Sequence, residues 1–87
     1  MNIIAREQKD KRGTPVKDAA AIGAIVRRLR RESQLTQIKA ASMCHVGTRF
    51  LSDLENGKAT IQIGKAMKVL QAFGLVVMLK QKDLTDE

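Results

Sequence analysis

Residues 35–58 read LTQIKAASMCHVGTRFLSDLENGK, and this stretch decides the fold. Thr36 has the side chain of a good helix cap, so a short helix is expected to open there. A tight turn follows around 44–46, a second helix begins near Gly47, and Asn56-Gly57 breaks it. Two short helices joined by a turn of about three to four residues are the layout of a helix-turn-helix. In that unit the second helix can place its first residues in the major groove of duplex DNA. The class of function implied is a reader of DNA, not an enzyme.

Working outward, Asp18 is suited to cap a helix running to about Ser33, with Ile22, Val26 and Leu29 on one apolar stripe and Ile25 beside it. In the second helix Ile38, Ala41 and Cys44 are expected to point inward, and Leu51 and Leu54 of the third close over them. Thr60 is expected to cap a fourth helix over roughly 62–73, burying Ile63, Met67, Leu70 and Phe73, with Gly74 as its stop. Residues 75–79, LVVML, are rich in β-formers and bounded by glycine and charge, which predicts a strand. Alternation puts Leu75, Val77 and Leu79 on one face and Val76, Met78 and Lys80 on the other. The chain's own helices are expected to cover only the first face. No other segment reads as a pairing strand, except weakly 2–5, so antiparallel pairing of two copies across a two-fold axis is expected. The expected fold is therefore mainly α: a four-to-five-helix, phage-repressor-like helix-turn-helix domain with one C-terminal β-strand pairing across a dimer. The expected organisation is a basic flexible arm over 1–17, the DNA-binding domain over 18–74, a dimerisation strand over 75–80 and a flexible tail over 81–87.

Composition supports this reading. Eighty-seven residues hold one small core, and 16 Lys and Arg against nine Asp and Glu give a formal charge of +7. Such an excess favours an anionic partner, nucleic acid before membrane. A single cysteine excludes an internal disulfide and makes the cytoplasm the default compartment. No secretion signal is evident, and the longest apolar run is far too short to span a bilayer. With no Trp or Tyr and only Phe50 and Phe73, base-stacking modes of RNA or single-strand recognition have little to work with. The lone His45 stands next to Cys44, but no second pair at metal-ligand spacing accompanies them, so no metal and no cofactor are expected. No nucleophile–base set or paired carboxylates are present either, so no catalytic residue is assigned.

LTQ at 35–37, LENGK at 54–58 and VLQAFGL at 69–75 make the sequence resemble the phage-repressor-like helix-turn-helix family of the Xre/Cro type, over about 22–75 without a gap. The strand after the fourth helix and the basic arm look more specifically like HipB-type antitoxins. That resemblance implies a small homodimeric repressor that represses its own operon and binds a HipA-like kinase toxin. The sequence departs from the family at five places. His45 stands where glycine is usual, so a non-glycine residue must take an unusual φ. Ile38 and Lys39 replace common acidic residues, Cys44 replaces leucine as a small buried hydrophobe, and Gly47 and Phe50 change the start of the recognition helix.

The resemblance also assigns residues. Gln37 matches the glutamine that contacts a phosphate and braces the recognition helix, and Lys39 makes the same face more favourable to phosphate. Gly47, Thr48 and Arg49 fall at the start of the recognition helix, where bases are read. An arginine fork on guanine is worth about 1–3 kcal/mol against the wrong base, and the alternative for Arg49 is a phosphate. Phe50 can press on a thymine methyl, or serve the core or a dimer contact. Ser52 lies one turn on, and Asp53 either accepts from cytosine or pairs with Arg49 four residues earlier. Asn56 and Lys58 match backbone-contacting positions. Arg30 matches the arginine that pairs with the glutamate of LENG, here Glu55. Leu75, Val76, Val77, Met78 and Leu79 are the dimerisation residues.

The function expected is thus sequence-specific, double-stranded operator binding by a cytoplasmic homodimeric repressor, the antitoxin of a toxin–antitoxin pair. A free-standing phage-type repressor without a toxin, or a helical protein-interaction module, are the alternatives.

Overall fold

Two helices start on a side-chain cap, and all four stop at a left-handed turn. The computed structural model describes residues 13–82, which form α1 (Ala19–Glu32), α2 (Gln37–Met43), α3 (Thr48–Glu55) and α4 (Ile63–Ala72). Asp18 caps α1, its carboxylate accepting from the Ala21 amide at 2.9 Å, and the Thr36 hydroxyl caps α2, accepting from the Lys39 amide at 3.1 Å. Both satisfy amides that a helix start leaves without a partner. Thr60 does not cap α4: the Ile61 amide reaches back to the Lys58 carbonyl at 3.2 Å, which puts Thr60 inside a tight turn. Gln62 precedes the helix with no side-chain bond.

The four helices end alike. After each one a residue takes a left-handed φ: Gln34 and His45 at 60°, Gly57 at 76° and Gly74 at 78°. The amide of that residue and the next then fold back onto carbonyls of the last turn. At α2 the His45 amide bonds Ser42 and the Val46 amide bonds Ala41, at 3.1 and 3.0 Å. The same two bonds recur with Gln34 and Leu35, with Gly57 and Lys58, and with Gly74 and Leu75. This cap serves the orphan carbonyls and turns the chain sharply. In three of the four, the residue after the turn is apolar: Leu35, Val46 and Leu75 each pack against the core.

That core is made by Val26 and Leu29 of α1, Ala40 and Ala41 of α2 with Cys44, Leu51 and Leu54 of α3, and Ala66, Val69, Leu70 and Phe73 of α4. α1 lies against α3 so closely that Gly23 has no room for a side chain. A Cβ there would sit 2.1 Å from the Leu54 carbonyl oxygen. Gly57 meets the same helix one turn earlier, its absent Cβ falling 2.7 Å from the Ala20 Cα.

The structure corrects several expectations. Ile38 is 71% exposed and Ile63 74% exposed, so neither is a core residue. The inward faces of their helices run through Ala40, Ala41 and Cys44, and through Ala66, Val69, Leu70 and Phe73. Residues 75–82 form no strand, because a ladder needs a second strand and none lies beside this segment among the described residues. Nor is the expected face covered along its length. Leu75 is half-buried, but Val77 is 47% and Leu79 97% exposed. Of the basic arm, residues 13–17 are exposed and non-helical, while 1–12, the weak strand at 2–5 and the tail from 83 lie outside the described residues.

A left-handed φ costs a non-glycine residue about 1–2 kcal/mol, and glycine gives back about 0.5–1 kcal/mol in chain entropy. Gln34→Gly and His45→Gly are therefore each expected to stabilise the fold by roughly 0.5–1 kcal/mol, additively because the two turns are separate. Urea midpoints unchanged or lowered in both variants would contradict the strain argument.

Candidate nucleic-acid interface

Beneath the surface of α3 lies one buried carboxylate with several donors. The Arg30 guanidinium donates from Nε to Glu55 Oε2 at 2.6 Å and from its Nη2 to Oε1 at 3.0 Å. Its remaining Nη1 donates to the Leu35 carbonyl at 2.8 Å. Gln37 Nε2 donates to Glu55 Oε1 at 3.0 Å, and Arg27 Nε stands 3.6 Å from the same oxygen. The two residues of the ion pair are buried, and every fully buried side-chain polar atom among the described residues has a partner. Two forked bonds fix both distance and plane, which a point charge would not do. This knot joins α1, the first residue of α2 and the last residue of α3.

Burial works against the charge of Glu55. The bonds from Arg30 and Gln37 and the positive charges of Arg30 and Arg27 outweigh it, and its pKa is lowered below the ordinary glutamate value. The bonds to Glu55 likewise raise Arg30. Gln37, assigned to phosphate contact and bracing, has its amide committed to the brace, which leaves one of its two N–H groups for another acceptor.

On the outer side of the knot stand the residues assigned to DNA. Gly47, Thr48 and Arg49 are exposed at the start of α3, and Lys39 is exposed on α2. Ser52 and Asp53 are half-buried one turn on. Asp53 pairs with Lys58 Nζ at 3.6 Å and not with Arg49, so the Arg49 side chain is not tied down by that carboxylate. Phe50 is half-buried against the core, and Lys65 Nζ of α4 lies 5.8 Å from its ring centre. That cation over an aromatic ring brings α4 to the edge of the recognition helix. Asn56 accepts from Arg27 Nη2 at 2.7 Å through Oδ1 and lies 3.5 Å from the Ser52 hydroxyl.

Arg27 and Lys65 were not among the residues singled out from the sequence. Arg27 stands in sequence beside Arg28, Arg30 and Arg31 with nothing local to distinguish it, and only the packing of α1 on α3 reveals its partners 28 and 29 residues away. Lys65 carried no local signal. Cys44 is buried, and that burial raises its thiol pKa, as suits a small core residue. No group of three or more metal-ligating side chains occurs among the described residues, and no helix there is long and apolar enough to cross a membrane.

The helix-turn-helix family model matches residues 26–76, which includes all of α2, α3 and α4 and the second half of α1. The chain belongs to the helix-turn-helix family. An uncharacterized HTH-type transcriptional regulator of Sinorhizobium fredii, y4mF, is 51% identical over 59 residues, covering 68% of this chain and 78% of that protein. Among solved structures, the fold is similar to a HipB complex with an O4 20mer, with a TM-score of 0.71 at 17% identity. It is equally similar to a chain of a HipA–HipB–O2–O3 complex, and in both cases 82% of this chain covers the whole of the other. At that identity the likeness concerns the fold alone.

Because the folded pKa of Glu55 is lowered, its pairing stabilises the protein fully above the ordinary glutamate value of about 4.3, and that stability is lost as pH falls through the lower folded value. Glu55→Gln is expected to destabilise by up to about 3–5 kcal/mol at neutral pH, since Arg30 is left buried without its counter-charge. It is also expected to flatten the loss of stability below pH about 4. Urea unfolding of both proteins at pH 7 and pH 3 measures this. A wild type and variant that lose stability in parallel on acidification would count against it.

Proposed function

We propose that this chain is a sequence-specific, double-stranded-DNA-binding transcriptional repressor that acts as a cytoplasmic homodimer and performs no catalysis. The observation that carries the reading is the exposed first turn of α3, with Thr48 and Arg49 held outward by the buried Arg30–Glu55–Gln37 knot. A rigid platform behind an unencumbered arginine is what base reading requires, because the side chain must reach a base edge in one register. Lys39, Asn56 and Lys58 flank that turn and supply phosphate contacts, which give affinity and register. The family membership and the name of the Sinorhizobium relative support transcriptional regulation.

We further propose that the protein is the antitoxin of a HipBA-like pair, repressing its own operon and binding a kinase toxin. The fold likeness to HipB in complexes with O4 and with HipA supports that finer reading. A free-standing repressor is the second reading, favoured by the higher identity to a regulator whose name mentions no toxin. Co-purification of the untagged operon product with a kinase-like neighbour separates the two.

For the dimer, the support lies in residues 76–79. Val76, Met78 and Leu79 are exposed together on the short segment after α4, beside a half-exposed Val77. Apolar side chains and unpaired backbone groups in one place favour a partner strand, and a second copy supplies one of matching pattern. Two copies so paired would set two recognition helices about one DNA turn apart, as a palindromic operator needs.

Two measurements follow from this reading. Arg49→Ala is expected to weaken operator binding by about 1–3 kcal/mol and to relax one position per half-site, whereas Lys58→Ala weakens binding to all sequences and flattens the salt slope by about one unit. Identical footprints for wild type and Arg49→Ala at matched salt would remove Arg49 from base reading. Val77→Pro takes away an amide donor from the ladder and fixes φ, so it is expected to leave a monomer with sharply reduced operator affinity. Sedimentation of an intact dimer with normal operator binding would refute pairing through this segment.

A further inference from the structure

The outer flank of α1 carries a feature that the proposed interface does not use. Ala20, Ala24, Arg27 and Arg31 fall at the i, i+4, i+7, i+11 spacing of one helical face, with Arg28 beside them. Together with Asn56 they line an open groove of about 580 Å³ between α1 and the end of α3. Its floor is two alanines and its walls are guanidinium groups. Two carboxylates also line it, and neither cancels the charge. Glu55 is buried and shared between Arg30 and Arg27, and Glu32 pairs on the surface with Arg28 at 3.2 Å. Three arginines thus line the groove with two glutamates, and because Glu55 is bonded to Arg30 beneath it, the groove stays net positive.

We propose that this groove is a second phosphate-binding site, which takes the backbone of the operator duplex beyond the bases read by α3. The inference rests on the DNA-binding reading above and extends it to α1. Three observations carry it. Short alanine side chains leave space for a sugar–phosphate chain to lie close to the helix, and they offer no pockets in which the side chains of an acidic peptide could be held. Guanidinium forks match phosphate oxygens in geometry as well as charge. The groove is also continuous with the backbone-contacting turn, because Asn56 belongs to both: its Oδ1 accepts from Arg27 at 2.7 Å, and its Nδ2 is on the side of Ser52. Arg27 is therefore already held in place before DNA arrives, and little side-chain entropy is lost when a phosphate joins it. Arg27 and Asn56 together form the inner end of the site, while Arg28 and Arg31 form its outer end.

The test uses the full-length protein and duplex from upstream of its own gene. Salt dependence of binding is measured by fluorescence anisotropy, and contacts are mapped by hydroxyl-radical footprinting. The double variant Arg28→Gln/Arg31→Gln alters only exposed side chains, and circular dichroism checks that its helices are kept. Each lost phosphate contact should remove about 0.9 from the slope of log affinity against log salt, so a flattening of about one to two units is expected. Protection should shrink at the outer edge of each half-site, with the preference between operator and unrelated DNA unchanged. Arg28→Lys/Arg31→Lys, which keeps the charge, should restore most of the slope. Arg49→Ala is the control for base reading and should alter the preference instead. If the wild type gives a footprint that Arg49→Ala relaxes, but the double glutamine variant keeps the wild-type slope and footprint, the phosphate site is overturned and an acidic peptide becomes the better occupant of the groove. If the wild type itself protects no upstream site and shows no steep salt dependence, the DNA-binding reading falls, and this site with it.

Discussion

The two-pronged bond between Arg30 and Glu55 is the interaction on which the rest of the molecule depends. A buried carboxylate is costly unless its charge and its lone pairs are met, and here both are met by groups from the two neighbouring helices, α1 and α2. Because two separate bonds join the guanidinium to the carboxylate, the pair constrains the orientation of α1 to α3 as well as their separation. Gln37 adds the start of α2 to the same oxygen, so the two helices of the helix-turn-helix are fixed to each other through a side chain of the first and the terminal glutamate of the second. The exposed face of α3 can then be polar and sparsely bonded without losing its orientation.

Steric constraint completes what this pair begins. Gly23 lets the α1 backbone approach the Leu54 carbonyl, and any larger residue would push the recognition helix away from the arginine that anchors it. Four left-handed turns make the chain compact around that contact. Three of them send an apolar residue, Leu35, Val46 or Leu75, straight back into the core. The fourth delivers Lys58 to the surface, next to Asp53. The same local geometry therefore closes the core at three corners and presents a cation at the edge of the proposed DNA face at the fourth.

The segment after α4 shows the limit of what one chain can satisfy. Leu75 finishes the last cap and is drawn into the core, but the residues after it leave the helical body, and Leu79 is almost wholly exposed. An eighty-seven-residue chain has little apolar area to spare for leaving outside a core. The energetic reason for a dimer in the proposed function is therefore found in this segment, while the reason for DNA contact is found in α3.

Much of this was legible in the sequence because it is local. Asp18 and Thr36 cap helices through bonds to amides three residues away, and Gly57 and Gly74 take the φ that ends a helix, so residue type and spacing are enough to place them. The order of helices and the recognition turn follow from the same short-range rules, whereas the left-handed φ of His45 was legible through the family resemblance that places it where glycine is usual. The Arg30–Glu55 pairing was legible only through resemblance to a family, since no local rule joins residues 25 positions apart. What tertiary structure alone decided is which apolar residues go inside and which charges meet. Periodicity finds a stripe, but α2 and α4 have apolar residues on more than one side, and the packing of neighbouring helices selected Ala40, Ala41, Ala66 and Val69 over Ile38 and Ile63. Asp53 chose Lys58 because the turn after α3 brings that ammonium back over the helix, whereas Arg49 stays on the outer face. Arg27 met Asn56 and Glu55 because Gly23 allows two helix backbones to touch, a contact that exists only once both helices are folded and docked.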